Sequence, residues 1–340
     1  MNKLQKRLGA WALILLFFGI VAAYYVLLRG NTASSDGEYF YIKSNAAYND
    51  VRQGLINEGL VKDIKTFDLV SKQMNLPNTY KAGRYKIEEG LSNMALVRKI
   101  RSGQWEKVVI KIKPEMSRDE VIEHLAFNLE AEAEDIRNEL SEEWAATSGF
   151  TDENVWNIFL PDFYHFNWAS SSQKIIARFS DEYNRFWTSA KKAKAKELEL
   201  STKQACILAS IVDGEAIHVK EMPIIAGLYL NRLKKGIALQ ADPTILYLVG
   251  REGRQRVLYR DLKQEDPYNT YLNTGLPPGP IFMPDKRAIN AVLSPAKHNY
   301  IFMCAKPDGS YYHNFAVTKA QHDRNAAAYR RSLNQRGIMR

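Results

Sequence analysis

Between Leu8 and Leu28 the chain runs for 21 residues without a charged side chain. Inside hydrocarbon every backbone polar group must be satisfied within its own segment, and a helix does this with all of its hydrogen bonds internal. Coiled that way the run is roughly 31 Å long, enough to cross the apolar core of a bilayer. Lys3, Lys6 and Arg7 precede it and only Arg29 follows closely. The positive-inside rule therefore leaves residues 1–7 in the cytoplasm, 8–28 in the membrane, and everything after residue 30 outside. The run is longer than a usual signal-peptide core and no clear A-x-A site follows it, so it reads as an uncleaved, single-pass anchor. Residues 29–37, mostly small and polar, are expected as a short flexible tether.

Beyond the tether, residues 38–113 carry a strand, two helices and a strand, with a further helix and strand appended. Tyr39 to Lys43 is β-rich, Tyr48 to Glu58 is helical and closed by Gly59, Lys65 to Met74 gives a second helix, and Arg84 to Ile87 returns as a strand. Ser92 caps a helix from Asn93 to Ile100, Gly103 ends it, and Lys107 to Ile112 alternates as a half-buried strand. Residues 114–196 read as a helical and aromatic connecting region. Ser117 and Glu120 form a capping box for a helix to about Asn128, and an acidic helical stretch runs from Glu130 to Trp144. The rings of Ile158 to Trp168 crowd a Pro-Asp turn, where they either plug a junction or line a sugar site. Gln173 to about Ala190 is expected as one long amphipathic helix, with Lys191 to Lys196 its solvated exit.

The third part, 197–340, is built around Ser201 to Val219. Ser201 and Gln204 make a second capping box, and Ala205 to Val212 is almost entirely apolar, so this helix belongs inside the protein. An acid on such a helix loses hydration, which favours its neutral form, and Glu215 is placed to hold a proton near neutral pH. Asp213 lies about 200° away round the helix, so the two carboxyls do not share a face unless the backbone opens at Gly214. The bland alternative is an acid that ends a core helix and pairs with a base. A di-iron reading of the Glu215-x-x-His218 spacing needs a second copy, and the chain has none.

A helix from Glu221 to Lys235 follows, with Pro223 in its first turn and Gly236 behind it. Then come Gln240-Ala-Asp-Pro-Thr244, Tyr268-Asn-Thr-Tyr271 and Gly275-Leu-Pro-Pro-Gly-Pro-Ile281, whose Pro and Gly put amides, a phenol and carboxyls on rigid loops. That is how a polyhydroxylated ligand is gripped; a purely structural use, with Asp242 and Asn269 fixing turns, is the competing reading. The chain ends in a hairpin about Asp308-Gly309 and a helix from Lys319. Together these parts define an α+β protein behind a membrane helix. The net charge of +9 is scattered without a basic arm, which argues against nucleic acid as a partner. Cys206 and Cys304 each sit in apolar runs and imply neither a disulfide nor a metal.

Ala209-Ser-Ile-Val-Asp-Gly-Glu-Ala216, Asn231-Arg-Leu233 and the three loop motifs, in this order and spacing, resemble the endolytic murein transglycosylase family of the MltG (YceG-like) type. The likeness reaches outward to Leu160-Pro-Asp162, to His313 and His322, and to Lys81-Ala-Gly-Arg-Tyr85, which is similar to the LysM-like βααβ subdomain of such enzymes. It implies that Glu215, the second acidic residue of the family's E-x-E segment, is the catalytic acid. The substrate it implies is the glycan strand of peptidoglycan, with no cofactor and no metal, and the expected neighbours are the membrane and peptidoglycan synthases. Asn231, Gln240, Asp242, Thr244, Tyr268 and Asn269 are the residues expected to orient the sugars. Asp213 stands where the family has Glu, and Phe163 where a Thr commonly follows Pro-Asp. Two other functions compete: a non-catalytic wall-binding scaffold, and a hydrolase whose second carboxyl is Asp162 or Asp242.

Overall fold

The structure is a computed structural model that describes residues 3–34, 39–114, 116–250 and 257–336. Helix α1 (Lys3–Leu27) contains the apolar run, and its Arg7–Leu27 portion has a mean hydropathy of 2.3 and is not buried. It is the one helix among the described residues long and apolar enough to cross a membrane. The chain divides into two compact units. The first holds Met1–Ile110 with Ala126–Glu132 and His165–Ser171, and the second holds the remainder. Residues 114–196 are thus shared between the two units.

In the first unit the order is β1 (Phe40–Ile42), α2 (Tyr48–Asn57), α3 (Ile64–Gln73), β2 (Gly83–Tyr85), α4 (Asn93–Ser102) and the start of β3 (Val108–Ile112). Strands β1 and β2 are antiparallel, with Phe40 opposite Tyr85 and Ile42 opposite Gly83. Their inward residues join Leu55, Phe67, Leu96 and Ile100 in one core, against which Val26 and Leu27 of α1 also pack. Of the residues expected as a tether, 30–33 are pinned instead of free. Gly30 bridges Ser92 and Thr32 bridges Val61. The buried Asn31 amide donates to the Asp63 carbonyl at 2.8 Å and to Asn93 Oδ1 at 2.7 Å, and Asn93 in turn donates to the Val26 carbonyl. Because Asn31 and Asn93 satisfy each other in a place water does not reach, the end of α1 is part of this unit. Residues 35–38 lie outside the described residues.

The chain continues through α5 (Arg118–Asn128), α6 (Ala133–Glu139), α7 (Glu142–Thr147), β4 (Asp162–Phe166), α8 (Ser172–Phe186) and α9 (Ser189–Glu197). The expected long helix is broken: Thr188 leaves helical geometry and caps α9 through Lys191 N, so the basic segment is itself helical. The aromatic cluster contains a strand, β4, in which Tyr164 and Phe166 are buried while Phe163 and His165 point out. Next come α10 (Thr202–Glu215), α11 (Met222–Lys234), α12 (Asp242–Val249), α13 (Lys286–Val292), the hairpin β5 (Phe302–Ala305) and β6 (His313–Ala316), and α14 (Lys319–Gln335). The expected capping box on α10 is present, with Ser201 Oγ accepting from Gln204 N and Gln204 Oε1 accepting from Ser201 N. Ala205 through Val212 are all buried, and α11, α12 and α13 pack around them. In the hairpin, Phe302 lies opposite Ala316 and Ala305 opposite His313.

Candidate functional site

Helix α10 emerges from the core at Asp213, and its last three residues are half-buried. The backbone stays helical through Gly214, so the two carboxyls diverge. Asp213 Oδ2 accepts from the Asp285 amide at 2.8 Å and ties α10 to the start of α13. Glu215 lines a cavity of about 620 Å³ together with residues of α11, α12, the hairpin and α14. Glycine is required at 214: a Cβ there would lie 2.8 Å from Pro243 Cβ and 3.0 Å from Pro243 Cγ. Its absence lets the first turn of α12 close against the end of α10.

Burial and three side chains set the electrostatics of Glu215. Burial pushes its pKa up from 4.5 to about 7, and the negative charge of Asp242 adds to the rise. Tyr229, one turn before Arg232 on α11, donates its phenol to Glu215 Oε1 at 2.8 Å and opposes the rise, as does the Arg232 cation. Arg232 is buried and held by the carbonyls of Leu239 at 2.7 Å and Ile301 at 2.6 Å, which joins α11 to the hairpin. Tyr271, also on the cavity wall, donates to Asp242 Oδ1 at 2.5 Å. A carboxyl that titrates near 7 can give a proton and take one back at neutral pH.

The residues expected to touch a ligand fall into two groups. Gln240 and Asp242 line the cavity beside Glu215, and Gln240 is held in a left-handed backbone conformation with φ of 50°. Asn231, Thr244 and Asn269 bond to other parts of the protein. Asn231 donates to the carbonyls of His298 and Tyr300 at 2.8 and 3.0 Å. Thr244 is fully buried and donates to the Ala241 carbonyl at 2.7 Å. Asn269, also fully buried, donates to the Leu262 and Gln264 carbonyls and accepts from Tyr271 N at 2.9 Å, which aims the Tyr271 ring. Tyr268 accepts from Arg118 at 3.0 Å and is not among the residues lining the cavity. Asp162 likewise lies off the cavity and is paired with Lys286; burial alone would raise its pKa, but the Lys286 bond and the Phe163 amide bring it below its ordinary value.

His218 is stacked on Tyr312 at 3.9 Å, with its Nε2 2.8 Å from the Ser310 carbonyl oxygen, so the Glu215-x-x-His218 pair does not converge. Sequence reasoning did not single out Tyr229, Tyr271 or the pairing of His313 with Glu221. Tyr229 had a signal, being a lone phenol within an apolar helix, and Tyr271 closed a motif already noted. The pairing had none, because its two partners are 92 residues apart: His313 Nδ1 lies 3.0 Å from Oε2 of Glu221, which is only 4% exposed.

Glu215 is thus a half-buried acid on the cavity wall, with its charge state set by burial, a second carboxylate, a phenol and a guanidinium. The chain belongs to the YceG-like family, whose model matches residues 40–328. It is similar to the endolytic murein transglycosylase of Bacillus subtilis strain 168, with 28% identity over 317 residues, 87% of this chain and 85% of that protein. It is also 32% identical over 139 residues to the endolytic murein transglycosylase of Streptococcus pneumoniae strain D39, a match covering 39% of this chain and 25% of that one. Among solved structures, a YceG-like protein from Listeria monocytogenes superposes with a TM-score of 0.55 and 22% identity, over 84% of this chain and 98% of that one, and shares the fold.

Proposed function

We propose that this chain is a membrane-anchored endolytic lytic transglycosylase of peptidoglycan, with Glu215 as its single general acid and base. The observation that carries the reading is the cavity-lining carboxyl whose pKa is raised to about 7. The names of its relatives in Bacillus and Streptococcus support the substrate class. In this reading neutral Glu215 gives its proton to the glycosidic oxygen between N-acetylmuramic acid and N-acetylglucosamine, and the bond from muramic C1 to that oxygen breaks. The muramic C6 hydroxyl oxygen then bonds to C1 while its proton passes to the Glu215 carboxylate, which restores the acid. The product is a 1,6-anhydro ring, and no water is consumed. Gln240 and Asp242 hold the sugars. Asn231 and the buried Thr244 and Asn269, with Tyr268, fix the chain around them.

The apolar α1 would hold the enzyme as a single-pass protein of the cytoplasmic membrane, with both units outside and close to nascent strands and the synthases that make them. The test is digestion of purified glycan strands in heavy-oxygen water with mass analysis of the new ends. Unlabelled 1,6-anhydro ends on fragments of several disaccharides are expected. Labelled reducing ends would instead mean hydrolysis, and absence of cleavage by the folded protein would point to a binding scaffold.

A further inference from the structure

The cavity holds a second carboxyl in a built position. Asp242 opens α12, and its location follows from two features of the backbone. Gly214 admits Pro243 against the end of α10, and the segment before it is bolted to the Tyr268–Tyr271 loop: Gln240 N donates to the Thr270 carbonyl at 2.9 Å and Ala241 N to Thr270 Oγ1 at 3.0 Å. The same loop presents Tyr271, whose phenol donates to Asp242 Oδ1 and whose own amide is held by the buried Asn269. Glu215 is treated alike, with Tyr229 on Oε1. Two carboxyls on one cavity, each gripped through one oxygen by a phenol, differ in surroundings. Asp242 is exposed, and Glu215 is half-buried. The negative charge of Asp242 opposes ionisation of Glu215.

We propose that Asp242 is a further catalytic residue, an ionised carboxylate that stabilises the positive charge developing at the anomeric carbon as Glu215 protonates the leaving oxygen. It forms no bond to the sugar; the C6 hydroxyl remains the attacking group. The inference rests on the transglycosylase reading above. The groups that act on Glu215 from the packed elements are Tyr229 and Arg232 of α11, Asp242 of α12 and Tyr271 of its loop, and the cavity wall adds His313 of β6 and Lys319 and His322 of α14. Asp242 is the one that supplies negative charge to raise Glu215, so removing it lets Glu215 ionise at lower pH.

The experiment compares the full-length wild type, Asp242→Asn and Tyr271→Phe in detergent on purified glycan strands, reading kcat, KM and the pH dependence of anhydro-end formation, with thermal unfolding as the folding control. For Asp242→Asn, kcat is expected to fall about a hundred-fold, well beyond the rise in KM from the lost sugar contact, and the alkaline limb of the pH profile to move to lower pH. Tyr271→Phe keeps the charge and releases its hold, so it should lower kcat by roughly ten-fold without moving that limb downward. A rise in KM at unchanged kcat, or an unmoved alkaline limb in folded Asp242→Asn, overturns the inference. Should Asp242→Asn fail to fold, unchanged kcat in Tyr271→Phe overturns it. Wild type without anhydro ends sinks the underlying reading, whereas anhydro ends made equally well by Asp242→Asn sink only this one.

Discussion

Replacing Glu215 by Gln leaves the Tyr229 phenol a carbonyl oxygen to donate to and removes only the titration, which makes the energetic cost of this acid measurable. Burial and the Asp242 charge hold Glu215 at about 7 against an ordinary 4.5, a displacement of about 2.5 pH units. At about 1.4 kcal/mol for each pH unit this is at most about 3.5 kcal/mol, and water reaching a half-buried side chain reduces it to about 2 kcal/mol. A carboxyl with a raised folded pKa binds its proton more tightly in the folded protein than in the unfolded chain. Its contribution to stability is therefore complete below about pH 4.5 and is lost as the pH climbs through about 7. Denaturant unfolding of wild type and Glu215→Gln near pH 5 and near pH 8 isolates it, since the difference between the proteins cancels every other titrating group. Relative to wild type, the Gln variant should gain about 2 kcal/mol on going from the lower to the higher pH, while losing strand cleavage by about a hundred-fold or more. A stability difference that stays constant across the two pH values would refute the raised pKa and the acid role derived from it.

Two other substitutions probe the same geometry. The Tyr229 phenol favours the Glu215 carboxylate, so Tyr229→Phe should move the alkaline limb of the pH–rate profile upward, opposite to Asp242→Asn; a downward shift would mean that the phenol bonds the neutral acid. Gly214→Ala gains about 1 kcal/mol of helix propensity but drives a Cβ to 2.8 Å from Pro243, at a cost of about 1–3 kcal/mol. The melting temperature and the cleavage rate should both fall as α12 moves off with Asp242, and a variant that melts higher at full activity would show the approach is not tight.

Features set by near neighbours were legible in the chain. The apolar run of α1, the Ser201–Gln204 capping box, the buried core of α10 and the terminal hairpin all depend on residues a few positions apart, and a helix or turn is decided at that range. Glu215 was legible for the same reason, as one acid at the end of an apolar helix. The tertiary structure decided what each polar loop residue is for. Asn231, Thr244 and Asn269 had the same ligand-type chemistry as Gln240 and Asp242, yet folding brings backbone groups to them as partners, and Thr244 and Asn269 are buried as well. The residues counted as a tether looked free because they are small and polar, but Asn31 meets Asn93 across 62 positions of sequence and is buried there. Local pattern determines which element forms. Whether an amide or a carboxyl ends in a core, a cap or a cavity depends on distant chain segments that supply its hydrogen bonds and exclude its water, and those are fixed only when the chain has folded.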